Sequence, residues 1–256
     1  WYNFPVGLST PNGVAVGPEQ KIWIVDTSSN YFFSFDPETE EFTKYVTSIP
    51  TSDSYGNFGK NPVSNPYWIE HSDGNLIMNE HNANRIAVFN PYSETLVEYT
   101  VPSRNSNWAD CEGIEYCGVA QVFDFAVDGK KIWFTEWVEN NIGVVDTSIP
   151  LPFSIDIDTK EITLNKGETA MVTLQVTKTS NQQIESSANV NYSSTSTFSD
   201  IIIKPELNNF SPSDVPTTIS VEVTASEYAL SGTHKVLLGG YTDDIAISQF
   251  IIVTIV

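Results

Sequence analysis

The apolar positions of this chain fall in short β-branched and aromatic runs. These are broken throughout by Gly, Pro, Asn and Asp, and almost no stretch has the 3.6-residue spacing of an amphipathic helix. Ile219-Ser-Val-Glu-Val-Thr224 alternates strictly between apolar and polar, and Ala170–Thr177 ends in the same alternation. The pattern predicts an all-β chain.

The pattern also repeats. Pro11-Asn-Gly-Val-Ala-Val-Gly17, Lys21-Ile-Trp-Ile-Val-Asp26, Phe33-Ser-Phe-Asp-Pro37 and Phe42-Thr-Lys-Tyr-Val46 form a first unit. The second is Pro66-Tyr-Trp-Ile-Glu-His-Ser-Asp-Gly74, Asn75-Leu-Ile-Met-Asn-Glu80, Ala87-Val-Phe-Asn-Pro91 and Leu96-Val-Glu-Tyr-Thr100. The third is Phe123-Asp-Phe-Ala-Val-Asp-Gly129, Lys131-Ile-Trp-Phe-Thr-Glu136 and Ile142-Gly-Val-Val-Asp146. The acid closing the second segment recurs at Asp26, Glu80 and Glu136, intervals of 54 and 56 positions. Three or four short strands per unit make one propeller blade, so about three blades are predicted. Trp1-Tyr-Asn-Phe-Pro5 matches Glu98-Tyr-Thr-Val-Pro102 and is expected to be the last strand of a preceding blade. A ring takes about four to eight blades, so further blades are expected upstream. The insertions Ser48–Ser64 and Ser103–Gln121 read as surface-shaping loops. Trp23 and Trp133 hold equivalent strand positions and are expected in the inter-blade core, whereas Tyr67 and Trp137 are candidates for a contact surface.

Beyond Pro150 the chemistry changes. All six Trp and both Cys precede that residue, and Ile149-Pro-Leu-Pro152 reads as a stiff linker. Seven strands are predicted there: Phe153–Ile157, Ala170–Thr177, Ala188–Tyr192, Ile201–Lys204, Thr217–Thr224, His234–Gly239 and Ile247–Val256. About 100 residues with such strands suggest an immunoglobulin-like β-sandwich, similar to modules appended to microbial surface proteins as spacers or adhesive units. The expected domains are therefore 1–149, the C-terminal blades of a β-propeller, and 150–256, the sandwich. The sequons Asn191-Tyr-Ser and Asn209-Phe-Ser fit surface exposure of the second domain. The strand that ends the chain at Val256 suggests a membrane anchor or another module beyond it.

The charge narrows the partners. Twelve Lys and Arg stand against 32 Asp and Glu, a formal net charge of −20. Both halves share it, and the field repels nucleic acid and anionic membrane surfaces. No apolar run approaches the roughly 20 residues that span a bilayer. Cys111 and Cys117 sit close together in a polar loop and read as a disulfide staple of an oxidising compartment.

The repeats resemble streptogramin B lyase (virginiamycin B lyase)-like propellers, relatives of NHL-type repeats. The resemblance rests on Lys131-Ile-Trp-Phe-Thr-Glu-Trp-Val-Glu-Asn-Asn-Ile-Gly143, with Pro11-Asn-Gly-Val-Ala-Val16 and Glu98-Tyr-Thr-Val-Pro102 in support, and covers about residues 1–148. It implies a C–O lyase that linearises a cyclic depsipeptide, with a His general base at the start of an inner strand. A Mg²⁺ held partly by a Glu about 14 residues later completes that site. The Glu position is filled here by Glu80 and Glu136, and by Asp26 in the first unit. The His position is filled by Asn12, Tyr67 and Phe123 or Asp124, none of which takes a proton as an imidazole does. His81, directly after Glu80, is either a base or ligand beside it or a solvated loop residue. Asp26, Glu80 and Glu136 are either hard oxygen ligands for Mg²⁺ or Ca²⁺ or structural caps of their own blades.

These readings give a first expectation, an extracellular or cell-surface recognition or envelope module without catalysis. Its face would carry Asn12, Tyr67, Asp124 and Trp137, and its partner would be an unknown ligand, a surface glycan or an envelope protein. The alternative is a metal-assisted lyase using Glu136, Glu80 and His81, completed by missing blades.

Overall fold

The computed structural model describes residues 1–50, 63–104, 118–179, 187–197 and 199–256. Its described elements are strands apart from one short 3₁₀ turn. The chain divides into two compact units, one of Trp1–Tyr92 and Val97–Ile149, the other of Ser93–Leu96 and Pro150–Val256. No helix among the described residues is long and apolar enough to cross a membrane.

In the first unit, β1 (Pro11–Val16), β2 (Ile22–Asp26), β3 (Tyr31–Asp36) and β4 (Glu41–Val46) form an antiparallel meander in chain order. β5 (Pro66–Ser72), β6 (Asn75–Glu80), β7 (Arg85–Asn90) and β8 (Thr95–Thr100) form a second, and β9 (Val122–Asp128), β10 (Lys131–Glu136) and β11 (Asn141–Asp146) a third. Each is a blade. The innermost strands follow one another, β1 against β5 and β5 against β9. Gly13 permits the first approach. A Cβ there would stand 2.9 Å from Ile69 N and Trp68 Cα, distances that only a residue without a side chain tolerates.

Apolar side chains close each seam. Phe89 of the second blade meets Trp23, Phe32 and Tyr45 of the first, with ring centroids 5.6, 5.2 and 5.2 Å away. At the next seam Ile77 and Ile86 pack with Ile132 and Phe134. Full burial of such side chains stabilises by about 1.5–3 kcal/mol each. Two equivalent asparagines pin the seams. Asn30 Oδ1 accepts the Ser64 N–H, and Asn84 Oδ1 accepts the Ala120 N–H at 3.0 Å while its Nδ2 donates to the carbonyls of Val101 and Ser103, each at 2.8 Å.

Two expectations need correction. Residues 1–5 form no strand among the described residues. Tyr2 instead packs on Phe35 at 4.7 Å and Phe4 on Phe42 at 6.4 Å, while Leu8 joins Ile24 and Phe33. A segment without a ladder partner gains more from burying its aromatic rings on the flank of a blade than from an unpaired extended backbone. Trp133 is not core either: it is 42% exposed, whereas its equivalent Trp23 is 2% exposed under the second blade. Cys111 and Cys117, with most of the two insertions, lie outside the described residues.

In the second unit β12 (Phe153–Ile157), β14 (Thr169–Lys178), β18 (Thr217–Ala225) and β16 (Ile201–Pro205) make one antiparallel sheet in that order. The other sheet holds β17 (Asn209–Phe210), β15 (Ala188–Ser194), β19 (Gly232–Tyr241) and β20 (Ile245–Ile255), with β13 (Glu161–Leu164) parallel to β20. Ile219, Val221, Val223 and Ala225 alternate inward along β18 and are fully buried. The structure adds β13 and β17 to the seven predicted strands. Both are too short to display a period. Asn191 corrects the sequon reading: it is buried, and its amide donates to Ser248 Oγ at 2.7 Å, while Asn209 is exposed.

Candidate functional site

The site is built from one local device used three times. Asp26 pairs with Pro11, Glu80 with Pro66 and Glu136 with Val122, each the first residue of its blade's inner strand. The register then shifts in every blade, and a bulge of this kind re-aims the side chains it carries. Asn12, Tyr67 and Phe123 occupy the three bulges. A backbone bond fixes the following residue of each second strand: Thr27 N donates to Thr10 O, His81 N to Asn65 O and Trp137 N to Gln121 O, at 3.0–3.1 Å. Bulge residues and post-strand residues thereby meet at one rim.

At that rim the second and third blades carry a continuous aromatic patch. Tyr67 lies 5.8 Å from His81 and 5.5 Å from Phe123, and Phe123 lies 5.5 Å from Trp137. His81 lies 6.0 Å from Phe123 and 6.3 Å from Trp137, and Trp68 flanks Tyr67 at 5.5 Å. Trp137 is 61% exposed, and Phe123 and Trp68 are each a little over a third exposed. Asn12 continues the patch onto the first blade, donating from Nδ2 to the Tyr67 carbonyl at 3.0 Å. Beside Trp137 a surface pocket of about 370 Å³ is lined by Phe123, Thr135, Glu136, Asn140, Asn141 and Ile142. Asp124 is exposed and accepts the N–H of Phe125 at 2.8 Å.

His81 is anchored within this patch. Its Nδ1 is 3.0 Å from the Val122 carbonyl, which can only accept, so Nδ1 carries the proton. Burial lowers its pKa, partly offset by that hydrogen bond, which favours the neutral ring.

The acids serve the interior of their own blades. Asp26 is fully buried. Thr10 donates to it from N at 2.9 Å and from Oγ1 at 2.7 Å, and Ser9 N, Ser28 N, Ser28 Oγ and Ser29 Oγ add further bonds. Burial raises its pKa, but the hydrogen bonds, led by Thr10, outweigh it and hold the carboxyl below its ordinary value. Glu80 is also fully buried. Arg85 Nη1 stands 3.7 Å from its Oε2 and 3.5 Å from Glu98 Oε1. Ser48 donates to Glu98 from N at 2.9 Å and also from its hydroxyl. Two carboxylates share one guanidinium. Burial first, and the charge of Glu98 second, push the Glu80 carboxyl well above the ordinary range against the pull of Arg85. Glu136 receives the amide of Asn141 at 3.2 Å.

The predicted residues thus sort into two groups. Tyr67, His81, Trp137 and Asn12 come together, with Phe123 rather than Asp124 as the member from the third blade. Asp26, Glu80 and Glu136 do not come together as a metal set: among the described residues no group of three or more His, Cys, Asp or Glu is placed to hold a metal ion. Asp26 is held by donors of its own blade, Glu136 by the amide of Asn141, and Glu80 by its ion pair with Arg85. Glu80 and His81 also part company, one turned to Arg85 and the other to aromatic rings.

Sequence reasoning missed Asn79 and the partners of Glu80. Asn79 is fully buried, accepts the Trp68 N–H at 2.7 Å and donates to the carbonyls of Val122 and Phe123 at 2.8 and 3.0 Å, so it ties two bulges together. A polar residue directly after the apolar run Leu76-Ile-Met78, before the strand-closing acid, was the available signal.

No protein-family model and no curated protein matches the chain. Among solved structures it is similar to virginiamycin B lyase from Staphylococcus aureus, with 21% identity over 58% of this chain and 45% of that one and a TM-score of 0.39. It is similar to a streptogramin B lyase structure at 16% identity over 70% and 54% of the two chains, TM-score 0.39. It is similar to domains 4 and 5 of the S-layer protein SbsC at 14% identity over 49% and 65%, TM-score 0.31. The chain spans about half the length of the two lyase chains.

Proposed function

We propose that this chain is a non-catalytic recognition module of an extracellular or cell-surface protein, with the aromatic rim of its blades as the binding face. The observation that carries the reading is the exposed patch of Tyr67, Phe123 and Trp137 held rigid by bulges and by Asn79. Rigid aromatic surface offers contact area at low entropic cost, and a partly exposed Trp makes a natural anchor. The carboxylates that a lyase would use are engaged inside their blades, which favours binding over chemistry. The net charge of −20 suits a secreted, solvent-facing protein and disfavours nucleic acid. The second unit is read as an immunoglobulin-like sandwich acting as a spacer, supported by its two alternating sheets. The partner class is a surface glycan or envelope protein.

Cosedimentation of the purified chain with isolated cell envelopes tests this. Binding is expected, and Trp137→Ala with Phe123→Ala should weaken it at least tenfold, roughly the loss of a hot-spot anchor. Periodate treatment of the envelopes separates a glycan from a protein partner. Binding unaffected by both substitutions would overturn the reading.

A further inference from the structure

The two seams of the first unit use the same positions with different side chains. Trp23, Phe32 and Tyr45 of the first blade correspond to Ile77, Ile86 and Tyr99 of the second. Phe89, which closes the first seam, corresponds to Val145. Aromatic rings fill the first seam, with centroids 5.1–6.3 Å apart. In the second seam aliphatic side chains stand where Trp23, Phe32 and Phe89 stand in the first, and smaller side chains on the same frame leave space. The space takes the form of a crevice of about 190 Å³ between the second and third blades. Its floor is Ile77, Val97 and Ile132, all buried, and Val88 and Tyr99 line its sides. The turns joining β5 to β6 and β9 to β10 form its mouth. There Lys130 Nζ stands 2.6 Å from Asp73 Oδ2, with both side chains well exposed. This mouth lies at the opposite end of those strands from the bulged rim, so the crevice stands independently of the recognition reading.

We infer that this crevice is a binding site for one free, neutral aromatic ring of indole size. The class of ligand follows from the neighbouring seam, where the indole of Trp23 packs among Phe32, Tyr45 and Phe89. The corresponding Ile77 packs with Ile132 across the second seam and leaves the place of a ring unfilled. The size agrees, since an apolar cavity of about 150 Å³ lined by aliphatic and aromatic side chains stays dry and takes up benzene. Charge sets the second limit. With a net charge of −20 the chain disfavours an anionic ring. Tyr99 and Asp73 supply acceptors for an indole N–H. The Lys130–Asp73 pair sets the third limit. A ring attached to a polypeptide would hold that pair apart, whereas a free ring lets it close behind.

The test is a titration of the full chain with indole, followed by methyl NMR and by calorimetry. Saturable one-site binding is expected, with a Kd of about 1 mM or tighter. The methyl resonances of Ile77, Val88, Val97 and Ile132 should shift together. Ile77→Trp restores the ring of the first seam from within the chain and should weaken indole binding about tenfold or more. Val88→Phe fills the crevice from its side and serves where Ile77→Trp does not fold. N-acetyltryptophanamide, the same ring with a peptide unit attached, should bind about tenfold more weakly than indole or not at all. The inference is overturned by an absence of saturable binding, or by shifts confined to the rim around Phe123 and Trp137. Indole affinity unchanged in a folded filling variant overturns it as well. Equal affinity for N-acetyltryptophanamide would overturn the assignment to a free ring.

Discussion

At the scale of single residues, the buried Glu80, Arg85 and Glu98 govern the second blade. Removing the guanidinium leaves two carboxyl groups without a counter-charge in the interior, a change that costs about 3–5 kcal/mol. Arg85→Ala should lower stability by about that amount in urea unfolding. The pH dependence has a definite sign. The Glu80 carboxyl is raised in the folded chain, so the folded state holds a proton that the unfolded state has released, and stability falls as pH climbs from the ordinary glutamate range towards the raised value. Glu80→Gln should flatten that fall. Asp26 acts in the opposite direction. Its carboxyl is held low, so its stabilisation is present above the ordinary aspartate range and disappears on acidification through the lowered value. Asp26→Ala should cost about 1–3 kcal/mol near neutral pH and remove that acid-side loss. Asn209 and Asn191 differ for a reason of burial alone. In a glycosylating host, mass spectrometry of the folded protein should find glycan on Asn209 and none on Asn191, whose amide is held by Ser248.

At the scale of elements, alternation and repeat spacing made most strands legible. The acids marked the ends of β2, β6 and β10 because each blade closes its second strand with a carboxylate. The partners of those acids were not legible: Arg85 joins Glu80 to Glu98, and Ser48 donates to Glu98 from another part of the chain, contacts that no local pattern announces. The bulges were equally silent, yet they decide that Asn12, Tyr67 and Phe123 reach the rim. β13 and β17 escaped because two to four residues cannot show a period. Trp133 misled because equivalence in sequence gives equivalent burial only where a neighbouring blade is present. Gly13 tests the packing of the inner strands. Gly13→Ala places a Cβ against backbone that side-chain motion cannot relieve, and should destabilise by about 1–3 kcal/mol, measured by denaturant unfolding.

At the scale of the whole molecule, an all-β chain with repeated blades brings Tyr67, Phe123 and Trp137 together at one rim and buries Asp26, Glu80 and Glu136 at the ends of its second strands. The direct measurement is a hydrogen-exchange footprint of the chain bound to isolated cell envelopes, compared with the free chain. Protection should appear at 65–69, 79–82 and 121–124 and around Trp137, and the strands of the second unit should be unchanged. Protection confined to that second unit, with the rim exchanging as in the free chain, would contradict the account.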